Sequence, residues 1–289
     1  MSSCVKVSGA FDVHEPMKFA MVIFAASSKP PMKAATSPLA TIDGQPVNIA
    51  SMNDLMAQMR CLISARQGFS LFTLNLDHLV KRRDNAAFRD AYARATLVSA
   101  DGAPIVRLAR RQGATLQRTT GADLIQPLCA LSVETNTPLY FFGSTEHQLA
   151  AATKVLGAAW PGLIIAGEAS PPFGFDPLSP AADEAGQKIA QSGAGLCLIA
   201  LGAPKQELLA DRWLRAHPNV GYCCIGAALD FIAGGQRRAP QMMQRLGLEW
   251  LWRLASHPRR LATRYGRCAL LLAEIEVATR FAQKPQVSA

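Results

Sequence analysis

Six short runs of this chain are apolar at nearly every position: FSLFTL (69–74), ATLVSA (95–100), TPLYFF (137–142), GLIIAG (162–167), GLCLIAL (195–201) and VGYCCI (220–225). Their β-branched and aromatic content predicts strands, and apolar residues at both odd and even positions predict strands covered on both faces. Between them lie segments of helical spacing. Asn85 to Arg94 sets Ala87, Phe88, Ala91 and Tyr92 on one stripe, and Thr145 to Leu156 does the same with Leu149, Ala152, Val155 and Leu156. Strands alternating with helices in this way predict an α/β chain with a parallel sheet and helices on both faces. With 289 residues, 49% of them hydrophobic, the chain can bury such a core without staples.

Three regions follow from the pattern. Residues 1–40 carry no sustained periodicity and collect Ser, Pro and Ala in ASSKPPMKAATSP, which predicts a disordered lead-in. Residues 41–235 hold the alternating core, and 236–289 form a basic amphipathic appendage. The apolar run Phe19 to Ala26 after Lys18 is short and preceded by Asp12 and Glu15, so export is not expected. No stretch reaches the roughly 20 apolar residues of a spanning helix. The seven cysteines are scattered, odd in number and never spaced as CxxC, which fits a reducing cytosol and neither a zinc site nor a disulfide framework.

Polar and glycine residues stand immediately after the strands, where open α/β sheets bind ligands. They are Asn75 and Asp77, Asp101-Gly102, Gly143-Ser144, the GAPKQE of 202–207, and Gly226. Backbone N–H groups at Gly143-Ser144 and Gly202-Ala203-Pro204, each opening a helical pattern, suit a phosphate. Lys205 and Arg118 offer charge to it, or are simply solvated. Asp101, before the helix that Pro104 starts, can act as a general base or serve as a turn and cap residue. Thr73, Asn75 and Asp77 can bind sugar hydroxyls, or Asn75 and Asp77 can cap the next helix. No GxGxxG, GxxxxGK[ST] or GxSxG occurs, so neither a dinucleotide fingerprint, a phosphate loop nor a hydrolase elbow is predicted. There is no DxD, and the five histidines are far apart, so no metal and no cofactor is expected.

The formal net charge of +9 calls for an anionic partner: nucleic acid, a phosphorylated substrate or a lipid surface. The charge is concentrated. From 237 to 267 stand Arg237, Arg238, Arg245, Arg253, Arg259, Arg260, Arg264 and Arg267, opposed only by Glu249. Through LGLEWLWRLASHPRR (246–260) and the residues just before it, a continuous helix would place Met243, Leu246, Trp250, Leu251 and Leu254 on one stripe with arginines at its margins. Such a helix can rest in a lipid interface or pack on its own core.

The motifs TLNLD (73–77), VSADG (98–102), QRTTGADL (117–124), FFGS (141–144), GAPKQE (202–207) and GAALDFIAGGQRRAPQMMQRLGLEWLWRLASHPRRLATRY (226–265) resemble the WecG/TagA/CpsF family of bacterial glycosyltransferases, glycosyltransferase family 26. The resemblance runs in order from about Thr41 to Arg267. It implies a Rossmann-like core whose C-terminal appendage docks on the membrane and helps complete the active site. It further implies inverting, metal-independent transfer from a UDP-sugar donor to a polyprenyl-diphosphate-linked acceptor at the cytoplasmic face of the inner membrane. Asp101 takes the place of the family's catalytic aspartate. Thr73, Asn75, Arg118 and Gln206 fall on other family motif positions, and Gly143, Ser144, Lys205 and Glu207 stand within the same motifs as substrate-binding candidates. Arg237, Arg238, Arg245, Trp250, Arg253, Arg259 and Arg260 are expected on an anionic membrane surface or a diphosphate. Ala100 and Leu76 replace prolines that the family often carries beside these sites.

Two rival readings fit the charge: a basic nucleic-acid-binding protein and a non-catalytic scaffold of polysaccharide assembly. The first lacks a recognition motif, so no nucleic-acid partner is expected. Against the second stand Asp101, Asn75 and Gln206. A homo-oligomer is compatible with the sequence.

Overall fold

The computed structural model describes residues 37–235, 239–245, 247–256 and 258–282. The lead-in expected for 1–40 lies outside these residues as far as 36, and so does the run Phe19 to Ala26. The chain opens with a hairpin, β1 (Ala40–Ile42) and β2 (Gln45–Val47), turned by Asp43-Gly44 with both φ positive. There follow α1 (Met52–Ser64), β3 (Phe69–Leu74), α2 (Leu76–Asp84), α3 (Ala86–Ala93), β4 (Leu97–Ala100) and α4 (Ala103–Arg111). A 3₁₀ turn at Gly121–Asp123 leads into α5 (Ile125–Thr135), β5 (Leu139–Gly143), α6 (Glu146–Ala159), β6 (Ile165–Ala169) and α7 (Pro180–Gln191). Next come β7 (Leu196–Ala200), α8 (Lys205–Ala216), β8 (Gly221–Cys224) and α9 (Ala228–Ile232). The appendage forms α10 (Gln241–Arg245), α11 (Glu249–Ser256) and α12 (Pro258–Ala282).

The six predicted strands are the six strands of one sheet, in the order β4-β3-β8-β7-β5-β6, with every neighbouring pair parallel. The double-sided apolar pattern has the expected cause. Along β5, Leu139 and Phe141 enter the core shared with α1, α5, α6 and α9, while Tyr140 and Phe142 enter the opposite one, shared with α2, α3, α7 and α8. Strands β7 and β8 alternate likewise. Each large side chain so buried contributes roughly 1.5–3 kcal/mol. Trp213 of α8, 1% exposed, also donates its indole N–H to Ala182 O at 2.7 Å, so no polar atom is stranded with it. At the outer edge of β4, Asn48 and Ile49 donate to Val98 O and the Asn48 side chain accepts from Val98 N, which covers that edge.

Between β5 and β7 the connections diverge: β5 leads outward through α6 to β6, and β7 leads through α8 to β8 on the other side. Such a reversal leaves a crevice at the carboxyl ends of the strands.

The appendage differs from its expected form. The continuous stripe from Met243 to Leu254 does not exist, because Gly247 (φ 73) ends α10: its N–H reaches Gln244 O and that of Leu248 reaches Met243 O. Leu246 lies outside the described residues. Helix α12 buries Leu261, Cys268 and Leu271, the last two in the core that α2 also lines. Ion pairs fix α12 to α2 and α4: Arg264 to Asp77 at 2.9 Å, Glu274 to Arg83 at 2.7 Å, Glu276 to Arg107 at 2.5 Å, and Arg267 to Asp84. Among the described residues no helix is long and apolar enough to cross a membrane.

Candidate active site

Asp101 follows β4 and is held there by its own backbone, whose N–H donates to Leu74 O at 2.7 Å. Asn75, after the neighbouring β3, takes the capping role left open for it and also reaches Asp101. Its Oδ1 accepts from His78 N at 3.0 Å, capping α2, and its Nδ2 donates to Asp101 Oδ2 at a long 3.4 Å. Asp101 itself is not a cap: Gly102 stands at that position of α4 and no side chain bonds there. The Asp101 carboxyl is pushed up to about 6, first by burial. Glu249 and Asp123 add to the rise, while the Asn75 hydrogen bond and the Arg253 charge oppose it. A half-buried carboxylate with this affinity is poised to take a proton near neutral pH.

Thr73 is buried on β3, in register with Ser99 of β4, two residues below this pair. The segment 117–124 runs beside the end of β4, with Thr119 N on Ala100 O at 2.8 Å and Ser99 Oγ on Thr119 O. This places the backbone of Arg118 beside the end of β4 and Asp123 within electrostatic range of Asp101. Arg118 turns toward the appendage: its guanidinium donates to Gln244 O at 2.7 Å and stands 3.9 Å from Glu249.

On the other side of the crevice, Gly143 ends β5 at φ 117, where a Cβ would stand 2.4 Å from Ala200 O, so only glycine lets β5 and β7 approach here. Ser144, at φ 59, is held in place by three bonds. Its N–H donates to Ala200 O, its carbonyl accepts from Ser170 Oγ, and its Oγ donates to Asp230 Oδ1 at 2.5 Å. Lys205 opens α8 half-buried, whereas Gln206 and Glu207 are 3% and 0% exposed and point into the protein.

The appendage closes over Asp101. Gly247 packs against the start of α4, where a Cβ would lie 2.9 Å from Ala103 Cβ. Helix α11 then brings Glu249 and Arg253 into the electrostatic range of Asp101, with the Arg253 guanidinium 5.8 Å above the Phe231 ring. No residue of α11 is fully buried. Trp250 is 44% and Leu251 42% exposed, Met242 on α10 is 70% exposed, and Arg259 is exposed at the start of α12. Trp250 also meets Tyr265 of α12 edge to face at 5.8 Å. Arg237 and Arg238 lie outside the described residues, and of Arg245 and Arg260 only the helical backbone is described.

The structure thus brings Thr73, Asn75, Asp101, Arg118 and Arg253 together, and sets Gly143 and Ser144 at the switch between β5 and β7. Sequence reasoning missed Asp230, Asp123 and Glu249. Asp230 follows the β8 run by only a few residues, so the strand-end rule that singled out Asn75 and Asp101 would have found it. Among the described residues no group of three or more His, Cys, Asp or Glu stands close enough to hold a metal ion.

A model of the glycosyl transferase WecG/TagA/CpsF family matches residues 40–285, which takes in the whole sheet, the crevice and the appendage. The chain belongs to that family: it is a glycosyltransferase of cell-surface polysaccharide synthesis.

Proposed function

We propose that the chain is an inverting, metal-independent transferase that moves a sugar of the N-acetylmannosamine type, or glucose, from a UDP donor to a polyprenyl-diphosphate-linked saccharide. The observation that carries the reading is Asp101, a half-buried carboxylate at a strand end with its affinity raised to about 6 and an arginine facing it. Asp101 takes the proton of an acceptor hydroxyl as that oxygen attacks the anomeric carbon. The bond from that carbon to the diphosphate breaks, and its electron pair leaves with UDP. Arginines of the appendage, Arg253 foremost, stabilise the departing charge. Asn75 holds the carboxylate in line, and Arg118 holds the appendage over it.

Docking on the cytoplasmic face of the inner membrane is the second half of the reading. A lipid-linked acceptor cannot leave the bilayer, so the site must come to it. The exposed Met242, Trp250 and Leu251, in a segment rich in arginine, suit a peripheral hold on anionic headgroups, to which each basic residue contributes on the order of 1 kcal/mol.

The test is Asp101→Asn assayed with a lipid-linked acceptor in detergent. A folded variant is expected to lose roughly 10²–10⁴-fold in turnover. Near-normal turnover would remove Asp101 from the role of base.

A further inference from the structure

Gln206 and Glu207 are adjacent and buried, and Gln206 is bonded to both loops that frame the crevice. Gln206 Oε1 accepts from the backbone N–H of Gly202, after β7, at 3.3 Å and from that of Gly226, after β8, at 3.1 Å. Its Nε2 donates to Glu207 Oε1 at 2.8 Å. We propose that Glu207 is a positioning residue of the transfer site: its carboxylate fixes the Gln206 amide in the one orientation that ties the β7 and β8 loops together. The proposal rests on the reading of the crevice as the transfer site.

A primary amide is asymmetric, with one accepting and one donating end. Turned over, Gln206 would set its NH₂ against two backbone N–H groups and its oxygen against a carboxylate, losing every bond at once. A hydrocarbon at 207 would remove one of the three bonds that favour this orientation, leaving the two glycine N–H groups alone to hold the amide. Glu207 is otherwise poorly provided for. Its Oε2 is buried without a hydrogen-bond partner among the described residues, and burial pushes its carboxyl up to about 7. A buried acid half satisfied is an unfavourable residue to keep for packing alone. A proton on Oε2 leaves Oε1 free to accept, so the clamp holds in either state. Its consequences reach the crevice, because the chain past Gly226 carries Asp230, the partner of Ser144 Oγ.

The experiment measures amide hydrogen exchange at Gly202 and Gly226 in the ligand-free full chain, with transfer rates alongside. Glu207→Met is expected to speed exchange at both glycines by about tenfold and lower kcat/KM by a similar factor, as the loss of an ordinary hydrogen bond would. Gln206→Glu alone is expected to be as harmful, since it faces one carboxylate with another. Combined with Glu207→Met it is expected to help, because either oxygen of Glu at 206 can accept from both glycines, and protection should return. That reversal of sign is not expected of a packing role. Unchanged exchange in Glu207→Met, a double variant no better protected than the single one, or altered exchange with unaltered kcat/KM would each overturn the proposal. If Glu207→Met does not fold, Glu207→Gln decides: it keeps an acceptor, so both glycines should stay protected, and loss of protection would refute the clamp. Should the wild-type chain transfer no sugar, the reading of the site fails, while the exchange measurements still decide the clamp itself.

Discussion

Helices α11 and α12 are neighbours in the chain and opposites in construction. Helix α12 buries Leu261, Cys268 and Leu271 and is ion-paired to α2 and α4. Helix α11 buries nothing fully, exposes Trp250 and Leu251, and yet carries the arginine that faces Asp101. The first is an anchor that belongs to the core. The second is placed by its neighbours, by Arg118 and by Gly247, and leaves Trp250 and Leu251 partly exposed. On the proposed reading the appendage divides its work: stability resides in α12, and chemistry and docking in α11.

Arg253→Met should give the largest separation. We expect a loss of roughly 10²–10³-fold in transfer, the usual cost of removing one charge-stabilising group, with a melting temperature close to that of wild type. A large drop in stability would erase the contrast between the helices. Leu271→Ala should do the reverse, destabilising the chain by about 3 kcal/mol through the cavity it leaves, while each folded molecule still transfers; urea unfolding beside a rate measurement checks both.

Asp101→Asn sharpens the comparison from the floor of the site. The folded carboxyl titrates near 6, above its ordinary value of 3.8, so the stability tied to its protonated form is complete below about pH 4 and is lost as pH rises through 6. The asparagine variant should therefore be more stable than wild type at pH 8, by about 2 kcal/mol after allowance for partial exposure, and no more stable at pH 4. Thermal melts at the two pH values decide it. The smallest effect is expected from replacing Met242 and Leu251 together with Ser. Binding to anionic vesicles should fall by about tenfold, consistent with roughly 1 kcal/mol or less per partly exposed apolar side chain, with no change in melting temperature.

The strands were legible because burial on both faces imposes a pattern that survives in one dimension: FSLFTL is β3 to the residue. Asp101 and Asn75 were legible for a related reason, since a polar residue at a strand end must face the crevice or cap a helix, and Asn75 does both. What could not be read was pairing across long separations. Nothing in the spacing of Arg118 says that it reaches Gln244, or in that of Glu207 that it turns inward to Gln206. Helical periodicity ran through Leu246 to Leu248 because apolar spacing alone does not register a backbone that must turn left-handed at Gly247. The opening hairpin escaped for a similar reason: its strands of three residues each are too short to show a period.

The most direct test of the central claim, that Asp101 is the base and that α11 sets its charge environment, is the pH dependence of kcat/KM in wild type and Arg253→Met. Transfer should rise with pH through a midpoint near 6, as Asp101 loses its proton. In Arg253→Met the midpoint should move upward, because the positive charge that favours the carboxylate is gone. A flat profile between about pH 5 and 8, or a midpoint that stays in place when Arg253 is removed, would contradict it.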